Sequence, residues 1–300
     1  MSDDDKDRDR RVQNALEGVS GGDAFGEGFF TDADRIEAMI ETRQAPAPVW
    51  RYTDDTMMTL SVVSILRRHG AIEQDLLATS FAERYEYERG YGPSMHRLLA
   101  AIREGTSWRE AAPAQFAGQG SFGNGAAMRA APIGAYFADD IEETVEQTTL
   151  ASVVTHTHPE AIAGAIAVAV AAALASRLHG QEKTETGADF LAAVAQWVPD
   201  SQVRARLIRA RGMLDASVGF AVTVLGNGLQ LSAQDTVPFA LWCACQHLFD
   251  YKEALWLAVS GLGDRDTICA IVGGIVALSA GVTSIPIAWQ TAREPLPDWT

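Results

Sequence analysis

The sequence predicts an all-α protein, a single compact domain of orthogonally packed helices. Three observations carry this reading. Apolar residues recur at helical spacing through most of the 300 residues, and few segments alternate strictly as half-buried strands do. Gly, Pro, Asp, Ser or Thr stands at nearly every junction between periodic segments. No Pro- or Ser-rich linker interrupts the chain, and no repeat of roughly 20–50 residues marks an array.

Taken in order, residues 1–10 are almost wholly Asp, Arg and Lys and are expected to form a disordered, solvated lead-in with no apolar signal segment. The domain is expected over 11–300. Helical periodicity predicts helices at 11–17, 33–43, 57–68, 75–88, 95–103, 126–137, 141–152, 159–178, 190–198, 202–212, 237–249, 252–260 and 267–280. The polar stretch 179–187 reads as an exposed loop. The run 161–176 is apolar on every side and rich in alanine. It falls short of the roughly 20 residues a bilayer span needs, so it reads as a central helix whose small side chains allow close packing.

Composition narrows the function. A net charge of -15 argues against a bulk electrostatic grip on nucleic acid, which needs clustered Lys and Arg. A small anionic ligand stays open, because backbone N–H groups and metal ions hold phosphate inside acidic proteins. Cys243, Cys245 and Cys269 make neither a disulfide framework nor a zinc quartet. Buried thiols in a reducing cytoplasm fit them best, and no membrane association is expected.

Two acidic clusters lie far apart in sequence: Thr53-Asp54-Asp55-Thr56 and Gly263-Asp264-Arg265-Asp266-Thr267. Each precedes a predicted buried helix. Asp and Thr cap helices by satisfying the free N–H groups of the first turn, so two unrelated caps are one reading. Capping needs one oxygen, however, and each cluster offers several. Were the two helix starts to meet, the converging carboxylates would repel unless a hard cation such as Mg²⁺, Mn²⁺ or Ca²⁺ neutralised them.

Three loops hold residues that a helical core would not need. Gly21 through Phe30 has glycines around two acids and three phenylalanines, which suggests backbone approaching something closely, or a turn serving helix packing. Gly118 through Gly125 has glycine at four of eight positions before an alanine-rich segment, a way to present N–H groups to phosphate. It is neither a dinucleotide fingerprint nor a Walker loop. Phe122 within it could face a base or sugar, or plug the core. Thr155-His156-Thr157-His158-Pro159 offers two histidines, for a ligand, a metal or a helix cap.

In combination and order these motifs resemble the ADP-ribosylglycohydrolases, including the dinitrogenase reductase-activating glycohydrolase type. The resemblance rests on Gly22-Asp23-Ala24-Phe25-Gly26, Thr53-Asp54-Asp55-Thr56, the segment from Gly120 to Arg129, Thr155 to Ala161, and Gly263 to Thr267, and it runs over nearly the whole chain. It implies an all-α fold with a binuclear cleft holding two Mg²⁺ (or Mn²⁺) ions. Matched to the family's motifs, Thr53, Asp54, Asp55, Asp264, Asp266 and Thr267 would be the metal ligands. Gly120, Ser121, Phe122, Gly123, Asn124, Gly125, Met128 and His156 would contact ADP-ribose, and Asp54, Asp55 and Glu27 would serve catalysis. The implied reaction is hydrolysis of the glycosidic bond at C1″ of ADP-ribose attached to a protein side chain or other acceptor. A relative that binds ADP-ribose without cleaving it is the alternative. The chain departs from the family twice. Phe30 stands where many members carry glutamate, with Glu27 the candidate for an equivalent carboxylate from a shifted position, and Arg265 separates the last two aspartates where a small residue or Thr is usual.

Overall fold

A computed structural model describes residues 3–181 and 185–299. Sixteen α-helices form among them: α1 (Asp3–Glu27), α2 (Ala33–Thr42), α3 (Asp54–His69), α4 (Gln74–Glu83), α5 (Pro93–Arg103), α6 (Trp108–Gly118), α7 (Ala131–Tyr136) and α8 (Ile141–Val153), then α9 (Pro159–Leu178), α10 (Gly187–Trp197), α11 (Gln202–Arg211), α12 (Val218–Leu225), α13 (Ala233–Gln246), α14 (Tyr251–Val259), α15 (Arg265–Ala280) and α16 (Ile287–Ala292). Two isolated bridges, Trp50 with Arg293 and Gly123 with Ser232, are the only extended pairings among the described residues. The fold is all-α, as its periodicity predicts. Part of the polar loop expected at 179–187, namely residues 182–184, lies outside the described residues.

Helices α9 and α15 form the centre, with α1, α7, α8, α13 and α14 packed around them. Helix α9 is 20 residues long, longer than its apolar run suggests, and by length and composition it could cross a membrane. What identifies it as a core helix is burial: 72% of its most apolar window lies inside the protein. Its alanines let α7 and α13 approach closely, as small side chains should.

The most extensive helix contact in the fold is between α1 and α15. Gly18, Gly22 and Gly26 recur every fourth residue on one face of α1 and meet the carbonyls of Gly273, Cys269 and Arg265, spaced in the same way along an antiparallel α15. A Cβ built on Gly22 would sit 2.0 Å from the Cys269 carbonyl oxygen. Segment 21–30 is therefore not a loop. It is helical to Glu27, and what the glycine backbone approaches is a second helix. Glycine lowers helix propensity by about 1 kcal/mol per residue, so local sequence reads the segment as irregular until the packing partner is present.

The same helix corrects the N-terminal expectation, since residues 3–10 are helical and not a free lead-in. Their charges are spaced for pairing: Asp7 meets Arg11 one turn on at 2.7 Å, and Asp9 meets Arg67 of α3 at 2.6 Å. The helix expected at 126–137 is also divided. A 3-10 turn at Asn124–Ala126 precedes α7, in which Pro132 holds the second position, where a missing N–H does no harm. Helices α12 and α16 are short, and α6 contains Pro113 and a kink at 115–117, so their periodicity does not register. At the end of α1, Phe25 and Phe29 enter an aromatic cluster with Trp50, Trp256 and Trp289; Phe25 stacks on Trp289 at 4.4 Å. This cluster ties the C-terminal segment to α1.

The glycine contact makes a specific claim on stability. Gly22→Ala should cost about 2–3 kcal/mol by overpacking, despite alanine's higher helix propensity. Gly219→Ala, in α12 with open space around its Cα, should be neutral or slightly stabilising. Urea unfolding of the two variants measures the difference, and equal midpoints would sink the packing argument.

Candidate active site

Three helix ends meet: the C-terminal end of α1 and the N-terminal ends of α3 and α15. Asp23, one turn before Glu27 on α1, reaches into the start of α3. Its carboxylate accepts from Thr53 N–H at 2.9 Å, from the Thr53 hydroxyl at 2.9 Å and from Thr56 N–H at 3.1 Å, and the Thr56 hydroxyl also donates to it. A carboxylate from α1 thus does most of the capping of α3. Asp54 and Asp55 are left over from that task. At α15, Asp264 occupies the N-cap position but makes no side-chain capping bond. It accepts instead from Asn124 Nδ2 at 2.6 Å. Capping alone does not account for these acids.

The two motifs converge on Asp55. Its Oδ2 lies 3.4 Å from Thr267 Oγ1 of α15 and 3.1 Å from Thr53 Oγ1. Asp55 and Asp23 are buried, while Asp54, Asp264 and Asp266 are part-exposed. Burial pushes every one of these carboxyls upward. Asp23 rises to about 7, mainly from burial, with Asp266 adding repulsion. Asp54, Asp55 and Asp264 stand well above the ordinary carboxylate range, again from burial first and neighbouring acids second. Asp266 is raised by burial. Glu27, half-buried behind the cluster, also rises to about 7, through burial, then Asp266 and Asp23.

Such a group of acids needs either protons or a cation. Asp55 Oδ1 and Asp266 Oδ1 are both buried with no hydrogen-bond partner. Two orphaned carboxylate oxygens among further carboxyl and hydroxyl oxygens are the donor type that hard divalent ions prefer. Among the described residues no three Asp, Glu, His or Cys side chains already close on one point as a chelate. The fit therefore rests on donor chemistry and on the orphaned oxygens.

Asp54, Asp55, Asp264, Asp266 and Thr267 line one end of a cleft of about 400 Å³. Its other walls are the loop from Ser121 to Gly125, Met128, His156 and the start of α5. The loop is held by its neighbours: Asn124 N–H donates to Leu231 O at 3.1 Å, Ala233 N–H to Phe122 O at 3.0 Å and His158 N–H to Ser121 O at 3.3 Å. Gly123 N–H turns to the Ser121 hydroxyl at 3.2 Å. The Ser121 and Phe122 N–H groups donate to no other backbone oxygen among the described residues. The loop is thus only partly available as a row of donors.

His156 is buried behind the loop. Burial, then the Arg129 guanidinium, lowers it to about 3, so its imidazole is neutral. Its Nδ1 lies 2.7 Å from the Thr155 hydroxyl, whose oxygen accepts from Arg129 Nη2 at 2.7 Å. Nδ1 can then accept the hydroxyl proton, leaving Nε2–H beside Gly123 and Gly125 as a donor. Arg129 is itself buried and donates to Gly125 O at 2.8 Å and Ala151 O at 3.2 Å, clamping loop, α8 and histidine together. His158 caps α9 by accepting from Glu160 N–H at 3.1 Å.

Several residues are placed otherwise than their motifs suggest. Gly120 does not line the cleft; it turns the chain at φ +75°, and a Cβ there would meet Thr157 Oγ1 at 2.0 Å. Thr53 and Glu27 lie behind the lining. Phe29 is core, while Phe30 is exposed beneath the Arg265 guanidinium, 4.3 Å from its ring centre. Sequence reasoning passed over Asp23, although its motif was noticed, because its role is to cap a helix distant in sequence. It also passed over Phe116, Gln230 and Leu231 on the cleft rim. Phe116 carries no motif. It is set by a kink at positive φ in α6, with its ring 5.3 Å from Phe122.

Comparison with known proteins gives the family and the fold. The sequence profile described as ADP-ribosylglycohydrolase matches residues 4–299. The chain is 28% identical to ADP-ribosylhydrolase ARH3 of Danio rerio, over 95% of this chain and 86% of that protein. It is 30% identical to ADP-ribosylhydrolase ARH3 of Homo sapiens, over 81% and 74%. An uncharacterized protein of Archaeoglobus fulgidus is 31% identical over 94% and 90%. Among solved structures, an ADP-ribosylglycohydrolase-related protein complex shares the fold, with a TM-score of 0.69, 22% identity, and coverage of 96% and 94%.

The raised carboxyls predict how stability depends on pH. A group whose folded pKa is raised keeps its proton in the fold while the unfolded chain has lost it. Stability therefore falls as pH rises from the unfolded value through the folded one. For Asp23 and Glu27 that window runs from their ordinary values near 4 up to about 7. In EDTA the melting temperature should fall between pH 5 and 8, and millimolar Mg²⁺ should flatten the slope. A melting temperature in EDTA that climbs over this range would contradict the electrostatic reading.

Proposed function

Since the chain belongs to the ADP-ribosylglycohydrolase family, we propose that it is a metal-dependent hydrolase acting on the glycosidic bond at C1″ of ADP-ribose, released from a protein side chain or another acceptor. One observation carries the reading. Acids from α3 and α15 meet at the end of a cleft, with Asp55 Oδ1 and Asp266 Oδ1 buried and unpartnered. The cleft's volume lies within the range of sites for small ligands. In this reading a nucleotide sugar lies with its distal ribose at the acids, its diphosphate along Ser121 to Gly125 and its base near Phe122 and Phe116.

Thr53, Asp54, Asp55, Asp264, Asp266 and Thr267 would hold two divalent ions of the Mg²⁺ or Mn²⁺ type. Bound there, such ions supply charge neutralisation, orientation of sugar hydroxyls and a more acidic water. The chain's own groups do the rest. Neutral His156 offers Nε2–H beside the glycine loop, where a phosphate oxygen would accept it. Cleavage at C1″ builds positive charge on the ribose, and the carboxylates at that end of the cleft stabilise it. Asp54 and Asp55 face the reacting sugar. Glu27, which lies behind them with its pKa near neutrality, is suited to exchange a proton during the reaction.

Calorimetry tests binding. ADP-ribose should bind with micromolar affinity in Mg²⁺ or Mn²⁺ and lose most of it in EDTA, because an uncompensated acidic cleft repels phosphate. Binding under neither condition would break the proposal.

Substitution tests the chemistry. Asp54→Asn and Asp266→Asn should abolish release of ADP-ribose from modified substrates with little loss of melting temperature in EDTA, since removing one acid relieves repulsion. Glu27→Gln should reduce kcat about 100-fold if it transfers a proton, whereas unchanged turnover would remove it from the mechanism. Wild-type protein that binds ADP-ribose tightly yet releases none from arginine, serine or nucleobase linkages would point to a non-catalytic binder.

A further inference from the structure

The segment that opens α15 is a wall between two spaces. Asp264, Asp266 and Thr267 line the acidic cleft, whereas Leu262 and Arg265 line a groove of about 690 Å³ against α2. Ile36 and Ile40 give the groove its apolar lining on the α2 side, and Glu37 and Glu41 stand exposed beside them. Ile40 and Ser260 also border a smaller hollow of about 180 Å³ at Trp256, so the open space continues along α2.

Two features of this groove serve no purpose in the fold itself. Leu262 is half exposed although its backbone is left-handed, at φ 56°. A leucine in that conformation is costly, and such residues persist where the surroundings impose them, often at binding sites. Glu37 and Glu41 lie one helical turn apart, a spacing at which like charges repel and destabilise a helix. Neither side chain has an ion pair or hydrogen bond among the described residues. Arg43, next along the chain, is taken by Glu253 at 2.6 Å. Arg265 donates to Leu262 O at 2.9 Å and lies over Phe30. The groove therefore presents apolar side chains edged by two uncompensated carboxylates. A segment carrying a cationic side chain beside an apolar one is its chemical complement.

We propose that this groove docks the polypeptide that carries the ADP-ribose, and that it selects a lysine or arginine next to an apolar residue beside the modified side chain. The proposal rests on the reading that the C1″ bond lies at the acids. Asp264 and Asp266 are each one residue from a groove-lining neighbour, Arg265. With the ribose held by the acids, the modified side chain crosses this wall and its backbone continues along α2. Glu37 and Glu41 then meet the cationic residue, and Ile36, Ile40 and Leu262 cover the apolar one. The acceptor class that follows is a protein segment, not a nucleobase.

Steady-state release of ADP-ribose in Mg²⁺ tests it. The substrates are short peptides modified on a central serine, with a parallel set on arginine, flanked by leucine and either lysine or glutamate; the modified amino acid alone is the reference. The lysine peptide should have a KM about tenfold below that of the glutamate peptide, the scale of two part-exposed ion pairs. Its kcat should be similar, because these contacts are the same in ground and transition states. In Glu37→Gln/Glu41→Gln the KM ratio should fall to near one, with the reference substrate unaffected. Glu142→Gln/Glu146→Gln removes the same charge from exposed acids of α8 that line neither space, and should keep the ratio. Equal KM values in the wild type, a ratio that survives Glu37→Gln/Glu41→Gln, or one that falls as much in the α8 variant would overturn the docking site while leaving the cleft assignment standing. A wild-type dimer by light scattering that Glu37→Gln/Glu41→Gln dissociates, with KM values unmoved, would assign the groove to a second copy and overturn the proposal too. If no substrate releases ADP-ribose, the cleft assignment fails and the docking site with it.

Discussion

The site depends on the contact between α1 and α15. Bulkier residues at positions 18, 22 and 26 would hold the two helices apart, and glycine lets the α15 carbonyls lie against the α1 backbone. That approach carries Asp23 and Glu27 up to the start of α15, where Asp266 raises the pKa of both. It also presents Asp23 to α3. A few tenths of a nanometre added at this interface would part the helix ends whose acids meet at the cleft, because close-packed interiors transmit such shifts.

The arrangement separates two tasks that neighbouring acids would otherwise share. Asp23, buried and bonded to Thr53 and Thr56, serves as the cap of α3. Asp54 and Asp55, in the first turn of the same helix, are then free to face the cleft. Likewise Asn124 and Thr267 approach Asp264 and Asp55 as neutral hydrogen-bonding partners, so the cluster is oriented without being neutralised. The acids are held in place with no cationic side chain among their hydrogen-bond partners, so protons or a bound cation must balance them.

The opposite wall is built on a different economy. Arg129, fully buried, ties the glycine loop, α8 and Thr155 together, and burial, reinforced by its guanidinium, keeps His156 neutral. The rim residues Phe116 and Leu231 sit at positive φ and remain exposed. The cleft is thus lined by acids from α3 and α15 and by apolar rim residues that the backbone positions.

The sequence by itself determined the helical class, the core character of α9 and α15, and the residue types of the site, because periodicity and motif chemistry are local properties. Asp54, Asp55, Asp264, Asp266, His156 and most of the glycine loop were legible in this way. The tertiary structure decided whatever depends on a distant partner. Gly21 to Phe30 looks irregular until α15 is placed against it. Residues 3–10 look free until Arg67 pairs with Asp9. Asp23 looks like one acid in a loop until its carboxylate meets the N–H groups of α3, and Phe116 carries no signal at all until the kink in α6 turns it to the cleft. Whether the two acidic clusters were separate caps or one site could not be read from spacing. It was settled by where the helix ends meet and by which carboxylate does the capping.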